Sequence, residues 1–236
     1  MDQLSPQLMH KLVFTVLMHG LNDSQTGLAL KVLTEALNHP NTQIRELAVV
    51  ALADLPVPAA KRVSALSSAL ADDSAKVRRR AARALGDLGP AAQPAVPFLT
   101  TGLRDTDASV RRDCAGALGR LGPVAHPAAA GLIPMLNEPE NRTRAVVAVS
   151  LKRIGKGAIP ALLAGVRSQT PEMRGRCATL LAKIAPDDEK VMSVLHEFLT
   201  DEDAEVRARA DEALQSVRTP PPIPMSLNRE SLTVGV

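Results

Sequence analysis

Six arginines recur along the chain at near-constant spacing. Arg45, Arg78, Arg111, Arg144, Arg174 and Arg207 are separated by 33, 33, 33, 30 and 33 residues. Guanidinium groups repeated in this way can line up to hold an anion, or they can fork onto carboxylates of the same chain, because their fixed donors match an oxyanion two at a time. Acids in the same register favour the second use. Asp72, Asp105, Glu138 and Asp201 stand six residues before an anchor arginine, and Asp107, Glu140 and Asp203 follow two residues later. Each anchor is expected to pair either with the acidic turn before it or with the turn of a neighbouring unit. Such pairs fix register more than they add net energy.

Other reactive side chains form no constellation. Cys114 and Cys177 share one register position with Ala48, Ala81, Val147 and Ala210, and so read as small buried residues. Two layers apart, they exceed the ~7 Å reach of a disulfide. His10, His19, His39, His126 and His196 have no second histidine three or four residues on, and His196-Glu197 is a lone pair of potential ligands. A metal site needs more. The segment GKGAIP around Lys156 lacks the spacing of a phosphate loop. No catalytic residue, metal or cofactor is assigned.

These residues sit on a periodic frame. Leucine falls seven residues after every anchor, at Leu52, Leu85, Leu118, Leu151, Leu181 and Leu214. Apolar or small residues also fill offsets −1, +3 and +10, which is the period of an amphipathic helix. Four residues before the anchors stand Asn41, Ser74, Asp107, Glu140, Thr170 and Asp203. Five of these six are helix N-cap types. Gly89-Pro90 and Gly122-Pro123 mark helix ends. A second helix precedes each of these, carrying Leu33, Leu66, Leu99, Leu132, Leu162 and Leu195 twelve residues before the anchor and a further apolar series eight before it. Pro97 and Pro160, in equivalent positions, should start or kink that helix. A period between 20 and 50 residues signals a solenoid or an array.

The pattern in Leu66 to Gly89 and Leu99 to Gly122 resembles the HEAT repeat family, and among its members the bacterial type grouped with phycobilin-lyase HEAT-like repeats. The resemblance covers about residues 24–217. It implies an all-α, right-handed α-solenoid of about six helix-turn-helix repeats, an Asp–Arg ladder between units, and second helices lining a concave surface. The expected repeats run over about 24–55, 58–88, 90–121, 125–154, 157–185 and 187–217. A capping helix is expected over about 6–19, and a Pro-rich disordered tail over 218–236. Deoxyhypusine hydroxylase, a HEAT-like di-iron enzyme, uses several His-Glu pairs, where this chain has one. HEAT-like DNA glycosylases use aromatic residues in a basic cleft, whereas this chain has no Trp, no Tyr and three Phe.

That aromatic poverty also argues against stacking platforms for single-stranded nucleic acid. No apolar run approaches the ~20 residues of a membrane span. The first twenty residues lack the pattern of a signal peptide, so a cytoplasmic, monomeric protein is expected. Charge is uneven. The net charge is +3 overall, but residues 78–183 hold 17 Lys/Arg against 7 Asp/Glu. Offsets +2, +5 and +9 oppose the core stripe and carry Arg80, Arg83, Arg120, Arg153, Arg176 and Lys183. These six are the expected partner-binding residues of a non-catalytic protein-interaction scaffold with an acidic partner. Two alternatives are a tetrapyrrole-handling subunit of the phycobilin-lyase kind and weak, sequence-blind binding to nucleic-acid backbone, the latter disfavoured. The final residues Val234-Gly235-Val236 also match a PDZ-type ligand only as many tails do.

Overall fold

The computed structural model describes residues 23–218, together with Gln7, Leu8 and Lys11. Apart from those three helical residues, the capping helix expected over 6–19 lies outside the described residues, as does the tail beyond Arg218. Six helix pairs follow one another and no strand occurs among the described residues. The first helices of the pairs are α1 (Asp23–Ala36), α3 (Ala59–Ser68), α5 (Val96–Gly102), α7 (Ala129–Leu132), α9 (Ile159–Gly165) and α11 (Glu189–Glu197). The second helices are α2 (Thr42–Asp54), α4 (Ala75–Asp87), α6 (Ala108–Leu121), α8 (Asn141–Ile154), α10 (Pro171–Ile184) and α12 (Ala204–Arg218). The protein is an all-α solenoid.

The second helices are regular because nothing in them breaks the pattern. Small residues at most of the +3 and +6 positions let them stack closely, with Val147 and Leu180 the larger exceptions, and the leucines at +7 are buried in every unit. Each such side chain contributes about 2 kcal/mol of burial. From the second pair on the first helices are the shorter ones, and in the third to fifth pairs proline punctuates them. Pro97 and Pro160 sit at the helix start, where a missing N–H costs nothing. Pro134 ends α7 after a single turn and starts a 3-10 segment, Pro134–Asn137. The leucines twelve residues before the anchors are all fully buried. The series eight before them is less uniform: Leu199 is 39% exposed, since no following unit among the described residues covers it.

Gly89 (φ 57°), Gly122 (φ 71°) and Gly155 (φ 72°) end α4, α6 and α8 in positive-φ conformations that favour glycine. After Gly89 and Gly122 a seven-residue 3-10 segment leads to the next pair, but after α8 the segment Gly155–Ala158 has four residues. The 30-residue step in the sequence is therefore a shortened connector between the fourth and fifth pairs. The second helices α4, α6 and α8 lie against one another along much of their length, as do α10 and α12, whereas α8 and α10 approach only briefly.

Candidate functional site: an arginine ladder with a missing rung

Every anchor arginine first holds its own turn. Its Nη1 donates to the carbonyls six and five residues back: His39 and Pro40 for Arg45, Asp72 and Asp73 for Arg78, Asp105 and Thr106 for Arg111. Arg144, Arg174 and Arg207 repeat this on Glu138 and Pro139, on Ser168 and Gln169, and on Asp201 and Glu202. The remaining Nε–Nη2 edge faces the following unit. It forks onto Asp72 from Arg45, onto Asp105 from Arg78, onto Glu138 from Arg111 and onto Asp201 from Arg174, at 2.7–3.0 Å. Of the two pairings the sequence left open, the carboxylate thus comes from the following unit, 27 residues on, while the turn before the anchor contributes backbone carbonyls.

The acids serve their own turns too. Asp72, Asp105 and Asp201 accept from the backbone N–H of Ser74, Asp107 and Asp203. Burial pushes the Asp72 and Asp105 carboxyls up, but the arginine fork and the backbone donor outweigh it and hold both below the usual carboxylate range. For Asp201 the Arg174 fork leads, with the same downward result. Among the expected N-caps, Asn41, Asp107 and Asp203 accept from the first turn of their helices. Ser74 and Thr170 make no side-chain cap.

Among the described residues the ladder is interrupted once between two units. Six residues before Arg174 stands Ser168, not an acid. Its hydroxyl still accepts from Thr170 N–H, so the turn is kept. No carboxylate reaches the Nε–Nη2 edge of Arg144 among the described residues. Arg207, in the last pair, likewise has no acid in front of it there.

The six cations at +2, +5 and +9, five exposed and Arg176 half-buried, do not form one uniform surface. Arg80 pairs with Glu46 at 2.8 Å, and Arg83 shares Asp113 with Arg79, both at 3.0 Å. Arg120 lies over Gly86, 3.3 Å from Asp87, with Nη2 on the Arg83 carbonyl. These three are largely balanced by neighbours within the chain. Arg153 and Lys183 are exposed with no side-chain partner among the described residues. Arg176 reaches back one unit to donate to the Leu136 carbonyl at 2.6 Å and to Asn137 Oδ1 at 2.7 Å. Burial, then the charges of Arg144 and Arg209, hold its pKa below the ordinary arginine value.

Positive charge is thus concentrated further along the chain than the first reading of the sequence placed it. Residues 78–140 carry eight Lys/Arg and six Asp/Glu, but residues 141–183 carry nine Lys/Arg and one acid, Glu172. Two signals in the sequence point there: the serine in an acid's register, and Asp113 occupying offset +2 of the third unit. Between α8 and α10 the poor stacking leaves an open cleft of about 260 Å³, whose lining includes Arg144, Arg176, Lys183 and Arg209 together with Ala148 and Leu180.

Of the other candidates, His10 and His19 lie outside the described residues. Cys114 and Cys177 are buried, and burial pushes both thiols up to about 12. His126 and His196 are exposed, the latter with Nδ1 2.7 Å from the Met192 carbonyl. No group of three or more His, Cys, Asp or Glu among the described residues is placed to hold a metal, and no helix there is long and apolar enough to cross a membrane.

Comparison with known proteins agrees with the helix-pair fold. A family model of HEAT repeats matches residues 29–118, 63–152 and 159–225. No curated protein matches the chain. Among solved structures, an engineered protein is 23% identical, with a TM-score of 0.55 over 84% of this chain and 97% of its own. Importin beta is 14% identical, with a TM-score of 0.62 over 88% of this chain and 33% of its own. The complex of CpcE and CpcF of phycocyanin lyase from Nostoc is 24% identical, with a TM-score of 0.48 over 85% of this chain and 79% of its own.

Proposed function

The chain belongs to the HEAT-repeat family, and from that premise we propose that it is a non-catalytic scaffold that binds an acidic segment of a partner protein along the exposed face of its fourth and fifth second helices. The observation that carries this reading is the nine-to-one excess of basic residues over residues 141–183. It coincides with the part of the surface where Arg153 and Lys183 have no carboxylate beside them among the described residues. Stacked repeats offer area and charge rather than one deep pocket. A field of one sign speeds encounter with an oppositely charged partner and makes binding fall as salt rises.

Fluorescence anisotropy with a labelled hexaglutamate peptide tests the proposal. Wild-type protein should bind the peptide and release it on raising salt, with hexaglutamine ignored. Reversing Arg153 and Lys183 together to Glu should weaken binding at least tenfold. Reversing Arg80 and Arg83, which already have acids beside them, should have the smaller effect. Equal losses in the two double variants would show that the central excess is only a solvated face.

A further inference from the structure

We infer that the cleft between α8 and α10 is a receptor for one carboxylate of the acidic partner segment, seated on the Nε–Nη2 edge of Arg144 and the guanidinium of Arg176. This rests on the scaffold reading above and names the point where that surface becomes specific. Three independent features of the chain meet there. First, Arg144 is held by its own turn in the same way as the other anchors, through Nη1 on the Glu138 and Pro139 carbonyls. Its remaining donors have the arrangement that elsewhere takes a carboxylate from the following unit in a two-point fork. Ser168 supplies no such group. Second, the connector after α8 is three residues shorter than those after α4 and α6, α8 stands off from α10, and the open cleft of about 260 Å³ beside them has Arg144 in its wall. That volume exceeds the ~30 Å³ share of one water several-fold, which is room for a carboxylate side chain with its hydration.

Third, the walls have one dominant sign. Arg144, Arg176, Lys183 and Arg209 line the cleft. Only Arg209 is answered by an acid, Glu205 on its own helix. Glu172 and Glu205 also lie close enough to act on Arg176, and Glu172 is the single acid of residues 141–183. Arg176 spends Nη1 on Leu136 and Asn137, which fixes the guanidinium across the joint. The apolar lining residues Ala148 and Leu180 suit the methylene stem of a glutamate. A carboxylate entering here completes from outside the rung that the chain omits.

The test uses the full chain, the labelled hexaglutamate peptide and single neutral substitutions. Arg144→Gln and Arg176→Gln should each weaken peptide binding at least tenfold, with unchanged helical content by circular dichroism. Arg104→Gln, an exposed cation outside the cleft, should change it less than twofold. Arg176 is not a ladder residue, so its variant keeps the test informative if Arg144→Gln does not fold. Binding that depends on Arg153 and Lys183 but not on Arg144 or Arg176 would leave the scaffold reading standing and overturn the cleft assignment. A wild-type protein that does not bind the peptide would remove both. Displacement of the peptide by millimolar inorganic phosphate, but not by chloride at equal ionic strength, would overturn the carboxylate assignment in favour of a tetrahedral anion.

Discussion

Cys114 places its Sγ where a Cβ on Gly102 would stand, 2.5 Å from that position. The same relation joins Cys177 to Gly165, at 2.6 Å. Both pairs are twelve residues apart, one partner on the first helix and one on the second. In the unit preceding the Gly102–Cys114 pair the equivalent positions hold Ala69 and Ala81, both buried. The cysteines therefore act as space-fillers matched to glycines across each pair.

Gly102→Ala should cost about 1–3 kcal/mol through overpacking against that sulfur. Replacing Cys114 by Ala as well should restore most of the loss, since the double variant reproduces the Ala69/Ala81 solution. Denaturant midpoints of the two single variants and the double variant measure the coupling. Additive losses would mean that the two residues do not share the space.

Ser168→Asp should stabilise the protein, because it places an acid in the register that answers every other internal anchor. A partly exposed rung is worth about 0.5–1 kcal/mol, or a rise in Tm of about 2 °C for a chain of this size. Differential scanning fluorimetry of wild type and variant reads the effect. The same change should do nothing in an Arg144→Gln background.

The frame was legible because a repeat states its core six times. The leucines at +7 and at twelve before each anchor could be identified without knowing any contact, and all are buried. The anchor arginines were legible as a ladder, but not which turn each would hold. That depends on a guanidinium using one nitrogen on its own turn and two on the next, which spacing alone does not separate. The exposed face was harder. Arg80 and Arg83 sit at surface offsets as expected, yet Glu46 and Asp113, one unit away on either side, balance them. A period marks which positions face outward. It does not tell which neighbours across a 33-residue step carry the opposite charge.

Asp105→Asn should remove one ladder fork and cost about 2 kcal/mol, the range for hydrogen bonds to charged groups. The change should also alter the acid response. Asp72, Asp105 and Asp201 have folded-state pKa values below their ordinary ones. Groups depressed in this way contribute stability that is complete above the unfolded carboxylate pKa of about 3.9 and lost as pH falls through the folded value. Wild-type stability should therefore be flat from pH 7 to about 5 and then fall. Asp105→Asn should start lower and fall less steeply, which denaturant titrations across that pH range would measure. An equal slope in both proteins would place the acid sensitivity elsewhere.

Leu118→Ala should cost about 2–5 kcal/mol, because Leu118 is fully buried in a central unit and the space it leaves cannot collapse between two stacked layers. Exposed His126 and His196, replaced by Ala, should each cost under about 0.5 kcal/mol. Denaturant midpoints that ranked a histidine first would reveal a buried polar role that the geometry does not show.

Removing residues 79–111 should leave a shorter folded protein. The cut joins Arg78 directly to Arg112, so Arg78 takes over the position of Arg111 and should fork onto Glu138, which now follows it by one unit. Each pair buries its apolar face only against its neighbours, so the loss is one unit and one interface rather than the fold. The deletion spares the shortened connector after α8 and the cleft beside it, since both lie in later units. Helical content per residue by circular dichroism should stay near the wild-type value, with a lower unfolding midpoint. The hexaglutamate affinity should be retained, because the residues assigned to it are all beyond position 140. A deleted chain that is unfolded at low temperature would contradict the modular register, and one that folds but loses the peptide would move the binding surface back into the second and third units.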